Sequence, residues 1–151
     1  KNDIQIILLG WFWNNWTLIN NAKVAMANGL TGRQDGVFKT GDLYGISAID
    51  DDWVTLNQMI KYYKFGFGAV TDYLNFEIRL GKISRSNAIK IVKKYDGSCD
   101  PKYIKNFCEY IEISVEQFWS EISKIVNKKI FSLSNKKGKR YIPKFKVGIG
   151  L

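Results

Sequence analysis

Helix start and stop signals recur through residues 53–127 and constrain the fold more than any other feature of the sequence. Apolar residues three and four positions apart between Trp53 and Tyr63 predict the first helix. Each later helix is preceded by a recognisable start signal, and these are Gly68, Ser84, Asp100 with Pro101 in the first helical position, and Ser114 with Gln117 in a capping box. We therefore expect a bundle of about five helices in this region.

An apolar run at residues 4–10, IQIILLG, precedes the bundle and is typical of a buried strand in a parallel or mixed sheet. It is followed by a predicted helix from about Trp16 to Asn28, capped by Asn14 or Asn15 and closed by Gly29. One strand and one helix do not make a sheet. We interpret this segment as the last βα unit of a doubly wound α/β domain.

The expected fold class is mainly α, in four parts. Residues 1–30 are the last βα unit of an α/β nucleotide-binding domain, and residues 31–52 are a glycine-rich loop. Residues 53–127 form the helical domain, and residues 128–151 a basic β-hairpin or tail that turns around Asn135–Lys139. Pro143 is expected on an exposed edge, because proline cannot donate to a strand ladder.

The absence of histidine excludes several kinds of catalytic site. Ser-His and Cys-His nucleophiles, HExxH metal sites and histidine acid–base catalysis are all ruled out. The two cysteines, Cys99 and Cys108, lie nine residues apart around one predicted helix, where we expect free buried thiols. Any chemistry must use carboxylates, Lys, Arg, Tyr or backbone groups.

The net charge of +9 belongs to the C-terminal segment. Nine of the 23 basic residues and none of the 14 acidic ones follow Glu121, so the preceding residues carry 14 of each sign. Such a segment could bind nucleic acid or phosphorylated ligands. The alternative is a solvated lysine-rich hairpin, which we favour because few of these residues are arginine, so that nucleic acid is not the expected partner.

No apolar run approaches the roughly 20 residues that a membrane helix needs, and the sequence start does not resemble a signal peptide. We expect a soluble protein of the cytoplasm with no membrane span.

The segment KFGFG at residues 64–68 separates two predicted helices. It does not match a phosphate-binding fingerprint, because no strand precedes it and no Lys-Ser/Thr pair follows its glycines. Gly66 and Gly68 either allow a kink and close packing of backbones, or combine with Thr71 at the helix start to form an anion site.

Two further groups of residues could take part in ligand binding. Asp50, Asp51 and Asp52 either cap a helix or hold Mg²⁺. Trp11, Trp13 and Trp16 follow the predicted strand, where ligands bind in open α/β sheets. They could stack on a sugar or base, or fill the core between sheet and helices.

Taken together, the chain from about Trp11 to Trp119 resembles the C-terminal part of the N-acetyl sugar amidotransferase family. The resemblance is carried by KYYKFGFGAVTDYLNFEIRLGKISRSNAIKIVKKYDG at residues 61–97 and YIKNFCEYIEISVEQFW at residues 103–119, and the C-terminal hairpin also fits. These enzymes of bacterial lipopolysaccharide and surface-glycan biosynthesis belong to the PP-loop ATP pyrophosphatase superfamily. The resemblance implies that ATP activates the acetamido group of a nucleotide-linked N-acetyl sugar, and that ammonia then gives an acetamidino group. It also implies a glutaminase and a cyclase-like subunit as ammonia-supplying partners.

The resemblance assigns candidate residues by position. Residues that match the family pattern are Lys64, Gly66, Gly68, Thr71, Asp72 and Arg79 for substrate, and the acidic pair Asp50 and Asp51 for Mg²⁺. Trp13 and Trp16, which follow the predicted strand, and Tyr44, in the loop before the acidic pair, are further candidates for substrate binding. No catalytic residue is assigned.

The sequence departs from the family in three ways. The Ser-Gly-Gly-x-Asp-Ser pyrophosphate loop and the cysteine pairs of the amino-terminal half are absent from these 151 residues. Ala69 stands where the family has an arginine that could contact phosphate or carboxylate. We therefore expect ATP and Mg²⁺ to serve the parent enzyme, and expect this chain alone to bind neither tightly and to be inactive.

Overall fold

The computed structural model describes residues 4–13, 16–134 and 140–149. The chain divides into two compact units, an amino-terminal unit of Lys1–Gly32 and a helical unit of Arg33–Leu151.

The amino-terminal unit contains one helix, α1, which spans Leu18–Ala27. The hydroxyl oxygen of Thr17 accepts a hydrogen bond from the backbone N–H of Asn20, so Thr17 is the N-cap. The caps proposed from sequence, Asn14 and Asn15, lie outside the described residues. The helix ends at Asn28 and Gly29, as predicted, with φ of +97° at Gly29.

The strand predicted for residues 4–10 is not formed. Residues 4–8 have no regular secondary structure, and Leu9–Trp11 is a single turn of 3₁₀ helix. A strand needs a neighbour to pair its backbone N–H and C=O groups, and the described part of this unit provides none. The assignment of residues 1–30 to a doubly wound domain remains a prediction.

The helical unit is mainly α, as expected. The five predicted helices are present, and a sixth, one-turn helix lies within the predicted loop of residues 31–52. The helices are α2 (Val37–Thr40), α3 (Trp53–Phe65), α4 (Ala69–Arg79), α5 (Arg85–Tyr95), α6 (Pro101–Tyr110) and α7 (Val115–Ile125).

Helix starts follow the local signals of the sequence. The hydroxyl of Ser84 accepts from the Asn87 N–H, and the carboxylate of Asp100 accepts from the Lys102 N–H. In the capping box, the Gln117 N–H donates to the Ser114 hydroxyl at 3.1 Å, and the Ser114 N–H donates to the Gln117 side chain at 2.9 Å.

The chain ends in an antiparallel hairpin of β1 (Phe131–Leu133) and β2 (Tyr141–Pro143). Phe131 is opposite Pro143 and Leu133 is opposite Tyr141. Pro143 is exposed, as predicted, whereas the turn predicted around residues 135–139 lies outside the described residues.

Two clusters of buried side chains hold the helical unit together. The aromatic core joins α3, α6, α7 and the hairpin, and consists of Leu56, Met59, Tyr63, Ile104, Cys108, Phe118, Ile122, Val126, Phe131 and Tyr141. The aliphatic core joins α4 and α5, and consists of Val70, Leu74 and Ala88. Both cysteines are free thiols, with Cys108 buried and Cys99 half-buried. Among the described residues, no helix combines the length and apolarity needed to cross a membrane.

Candidate functional site

The KFGFG segment forms a tight turn between α3 and α4. Gly66 ends α3 with φ of +87°, and its N–H donates to the Tyr62 carbonyl at 2.8 Å. A side chain at this position would be strained by the positive φ, and its Cβ would lie 3.0 Å from the Cδ1 atom of Ile130. Gly66 therefore provides a helix terminus and close packing, in line with the first interpretation of the sequence.

The amino-terminal end of α4 faces a carboxylate that belongs to the protein itself. The Oδ2 atom of Asp96 accepts a hydrogen bond from the Gly68 N–H at 2.9 Å and from the Thr71 hydroxyl at 2.6 Å. Gly68 and Thr71 are the two residues from which the sequence predicted an anion site. Both donate to Asp96, which follows α5 directly and is only 5% exposed. An internal carboxylate therefore occupies the position where a bound anion was expected.

The close approach of Asp96 explains the glycine at position 68. A Cβ built on Gly68 would lie 2.8 Å from the Oδ1 atom of Asp96. That oxygen is buried in close-packed surroundings, so it has little room to move away. Glycine is thus required here by the carboxylate rather than by a ligand.

Burial raises the pKa of Asp96 above its usual value of 3.8. Hydrogen bonds from Thr71, from the Gly68 N–H and from the first-turn N–H groups of α4 act in the opposite direction but do not cancel the effect of burial. Asp96 is therefore a carboxyl group whose ionisation is coupled to the α3–α4 turn.

The other candidates near this turn have separate surroundings. Asp72 forms an ion pair with Lys61, and the Lys64 ammonium lies 5.1 Å above the ring of Phe65. Arg79 is exposed at the far end of α4, about 15 Å along the helix from Ala69. Tyr44 meets the edge of Tyr73 at 5.7 Å between ring centres. These residues do not converge on one point.

The acidic pair lies at the opposite end of α3 from the glycine turn. The Oδ1 atom of Asp51 accepts from the Trp53 N–H at 2.8 Å, and Asp50 is exposed. The 13 residues of α3 place them about 20 Å from Gly66 along the helix axis. Arg33 fixes this loop by donating to Asp52 at 2.5 Å and to the Ala48 carbonyl at 2.6 Å.

Two of the positions considered for ligands are engaged by groups of the protein itself. The Asp51 carboxylate already accepts a hydrogen bond from the first residue of α3, whereas the N-cap itself is Asp52, which makes no side-chain capping bond. No group of three or more carboxylate, cysteine or histidine side chains in the described part of the chain could hold a metal ion. The anion position at α4 is filled by Asp96.

In the amino-terminal unit, Trp13 and Trp16 are exposed and line an open groove along α1 with Asn20, Val24 and Asn28. They do not fill a core within this unit.

A cavity of about 280 Å³ lies in the helical unit, where α3, α6, α7, the α5–α6 connection and β2 meet. Its lining includes none of the candidate residues chosen from the sequence. The residues around it are Phe38, Met59, Tyr62, Tyr63, Lys94, Asp96, Gly97, Ser98, Cys99, Pro101, Ile104, Trp119, Arg140, Tyr141 and Pro143. Asp96 belongs both to this lining and to the amino-terminal end of α4.

Burial favours the protonated form of two tyrosine hydroxyls and one thiol at the cavity. Burial raises the pKa of the Tyr63 hydroxyl to about 12 and raises that of Tyr62 further. Burial also raises the pKa of the Cys99 thiol to about 12, so this cysteine is not a nucleophile at neutral pH. The Arg140 guanidinium lies 5.0 Å above the Trp119 ring.

These features define a helical domain with a closing β-hairpin and a small, aromatic, partly cationic cavity. The family described as LPS biosynthesis protein WbpG-like, C-terminal domain, matches residues 38–146, and the chain belongs to this family. The match contains the glycine turn, Asp96 and every residue of the cavity lining. No curated protein and no solved structure matches the chain.

Proposed function

We propose that this chain is the C-terminal part of an ATP-dependent N-acetyl sugar amidotransferase. The enzyme would convert the acetamido group of a nucleotide-linked sugar to an acetamidino group, in the cytoplasm, during bacterial lipopolysaccharide or surface-glycan biosynthesis. The observation that carries the proposal is the family match over residues 38–146, which assigns the chain to a lipopolysaccharide biosynthesis family.

The reaction has a simple chemical logic. An amide oxygen is a poor leaving group, and ATP makes it a good one by adenylation, with release of pyrophosphate. Ammonia then forms the new C–N bond as AMP leaves with the former amide oxygen. A glutaminase with a cyclase-like subunit would supply the ammonia.

The helical unit would complete the sugar-binding side of such an enzyme and could contribute a surface for the partner subunits. Two observations support a binding role rather than a chemical one. Its cysteine thiols have raised pKa values, and its buried carboxyl group at position 96 is engaged by α4. At position 69 the first residue of α4 is a half-buried alanine, so the contact made by the family's arginine would be missing.

The test is ATP–pyrophosphate exchange by the whole protein that the gene encodes, with UDP-linked N-acetyl sugars as substrates. We expect exchange that depends on the sugar, and incorporation of ¹⁵N from labelled ammonium into the product. The 151-residue chain alone should give no exchange. A gene that encodes no Ser-Gly-Gly-x-Asp-Ser loop upstream would contradict the proposal, as would binding to DNA or RNA with a steep dependence on salt.

A further inference from the structure

Three tyrosines at the cavity have hydroxyl groups with no hydrogen-bond partner among the described residues. Tyr63 and Tyr141 are each only 6% exposed, and Tyr62 is half-buried. No described residue forms a hydrogen bond to any of the three hydroxyls, and none of the oxygens is among the fully enclosed unpartnered atoms. Buried tyrosine hydroxyls normally find a partner, and a polar ligand in the cavity that these residues line would provide one.

The size of the cavity limits what could provide those partners. Its volume of about 280 Å³ is at the lower end of the range for small-molecule sites. It fits one sugar ring and is too small for a nucleotide and a sugar together. Trp119 and the tyrosine rings offer flat apolar faces of the kind on which a sugar ring packs.

Charge at the cavity favours an anionic ligand. Lys94 and Arg140 both belong to the lining and are exposed, and neither forms an ion pair with a described acidic residue. The one carboxyl group of the lining, Asp96, is held by the Gly68 N–H and the Thr71 hydroxyl. Two cations therefore remain to meet a negative group.

We infer that this cavity binds a single sugar ring that carries one anionic group. The ring contacts Trp119 and the hydroxyls of the three tyrosines, and the anionic group contacts Lys94 and Arg140. The inference rests on the proposed function only for the role of this sugar as substrate, since binding itself needs neither ATP nor ammonia. A ligand here would also lie beside Asp96 and thus next to the glycine turn.

The test is titration of the ¹⁵N-labelled 151-residue chain, followed by amide chemical shifts. The probes are N-acetylglucosamine 1-phosphate, glucuronic acid, N-acetylglucosamine and inorganic phosphate. We expect both anionic sugars to shift the amides of residues 96–99 and 140–141 at concentrations up to about 20 mM. The neutral sugar and inorganic phosphate should each bind about tenfold more weakly, since each offers only half of the contacts.

Variants with matched controls test the assignment of residues. Lys94→Ala and Arg140→Ala should each weaken binding of the anionic sugars about tenfold, whereas Lys93→Ala, on the same helix but outside the lining, should not. Tyr141→Phe should weaken binding about three- to tenfold, and Tyr110→Phe, at an exposed position, should not. Lys94 and Arg140 are exposed, and Tyr141→Phe keeps the aromatic ring, so the chain should remain folded.

Three outcomes would overturn the inference: no shift with any probe, equal affinity for inorganic phosphate and sugar phosphate, or shifts confined to residues outside the cavity. The preference between phosphate and carboxylate identifies the anionic group. Because this experiment uses no ATP, its failure would leave the exchange assay to judge the proposed function separately.

Discussion

The amino-terminal unit and the helical unit both contain many apolar side chains, but only the helical unit buries them in a core. In the amino-terminal unit no residue of α1 is buried, and apolar side chains such as Ile4 and Phe12 are 88% and 82% exposed. In the helical unit, side chains of the same kinds form two cores from helices that pack on one another. Apolar sequence becomes a core only where a second element is present to cover it, and a lone helix gains little stability from its own residues.

The two units also differ in the kind of ligand site that they offer. The cavity exists because five elements of the helical unit converge around it, whereas the groove of the amino-terminal unit is an open surface along one helix. A ligand bound in the cavity would be surrounded by residues that the aromatic core already fixes in place.

The largest expected effect is on the aromatic core. Phe131 is 2% exposed and packs against the rings of Tyr62, Tyr63 and Phe145 at 5.1 to 5.8 Å. Phe131→Ala should lower the free energy of unfolding by about 3–5 kcal/mol, measured by urea denaturation. Phe12→Ala, the matched change in the amino-terminal unit, should cost less than about 0.5 kcal/mol. Equal losses would show that the two units do not differ in packing.

Gly68→Ala should have the next largest effect. The new Cβ would lie 2.8 Å from the buried Oδ1 atom of Asp96, and we expect a loss of about 1–3 kcal/mol in the free energy of unfolding. Gly36→Ala is the control, because its φ is −68° and no atom lies within 4 Å of the added carbon. If both variants unfold at the same urea concentration, the contact with Asp96 is not the reason that position 68 requires glycine.

Local signals made much of the helical unit predictable from sequence, and non-local contacts account for what was not. Ser84, Asp100 and Ser114 cap helices through residues two or three positions away, so their roles can be recognised in the sequence. The partner of Gly68 lies 28 residues further along the chain, and no sequence pattern indicates it.

The difference between local signals and non-local contacts also explains why the predicted strand is not formed and why the sequence did not indicate the cavity. Apolar residues 4–10 carry the composition of a strand, but a strand depends on a neighbour that the described residues do not provide. Arg140 belongs to the segment interpreted from sequence as a solvated hairpin, and nothing in the sequence singled out Lys94, because their place at one cavity depends on the packing of distant elements.

Asp96→Asn tests the coupling between the carboxyl group and the turn through pH. The pKa of Asp96 is raised in the folded state, so its contribution to stability is fully present below about pH 4 and is lost as pH rises through the folded pKa. Asparagine keeps an acceptor and does not titrate. The stability of the wild-type chain relative to the variant should therefore decrease from pH 4 to pH 7, measured by urea denaturation at each pH. A difference that stays constant with pH would contradict the assignment, and Asp50→Asn, at an exposed position, serves as control.

Loss of a helix N-cap can be compared in both units, because each has a helix capped by a hydroxyl side chain. Ser114→Ala removes the cap of α7, whose face is part of the aromatic core, and should cost about 1 kcal/mol of the global free energy of unfolding. Thr17→Ala removes the cap of α1 and should lower the helix content without moving the global transition. A shift of the global midpoint by Thr17→Ala would show that α1 unfolds together with the core.

Removal of residues 1–32 should have the smallest effect of all. Every buried residue among those described lies between Thr40 and Tyr141. Without residues 1–32, the urea midpoint should change by less than the equivalent of about 0.5 kcal/mol, and the amide spectrum of residues 96–99 should be unchanged. Unchanged binding of the anionic sugars by the shortened chain would assign the cavity to the helical unit alone. A loss of more than about 1 kcal/mol would instead show that the exposed apolar side chains of the amino-terminal unit contribute to the stability of the helical unit.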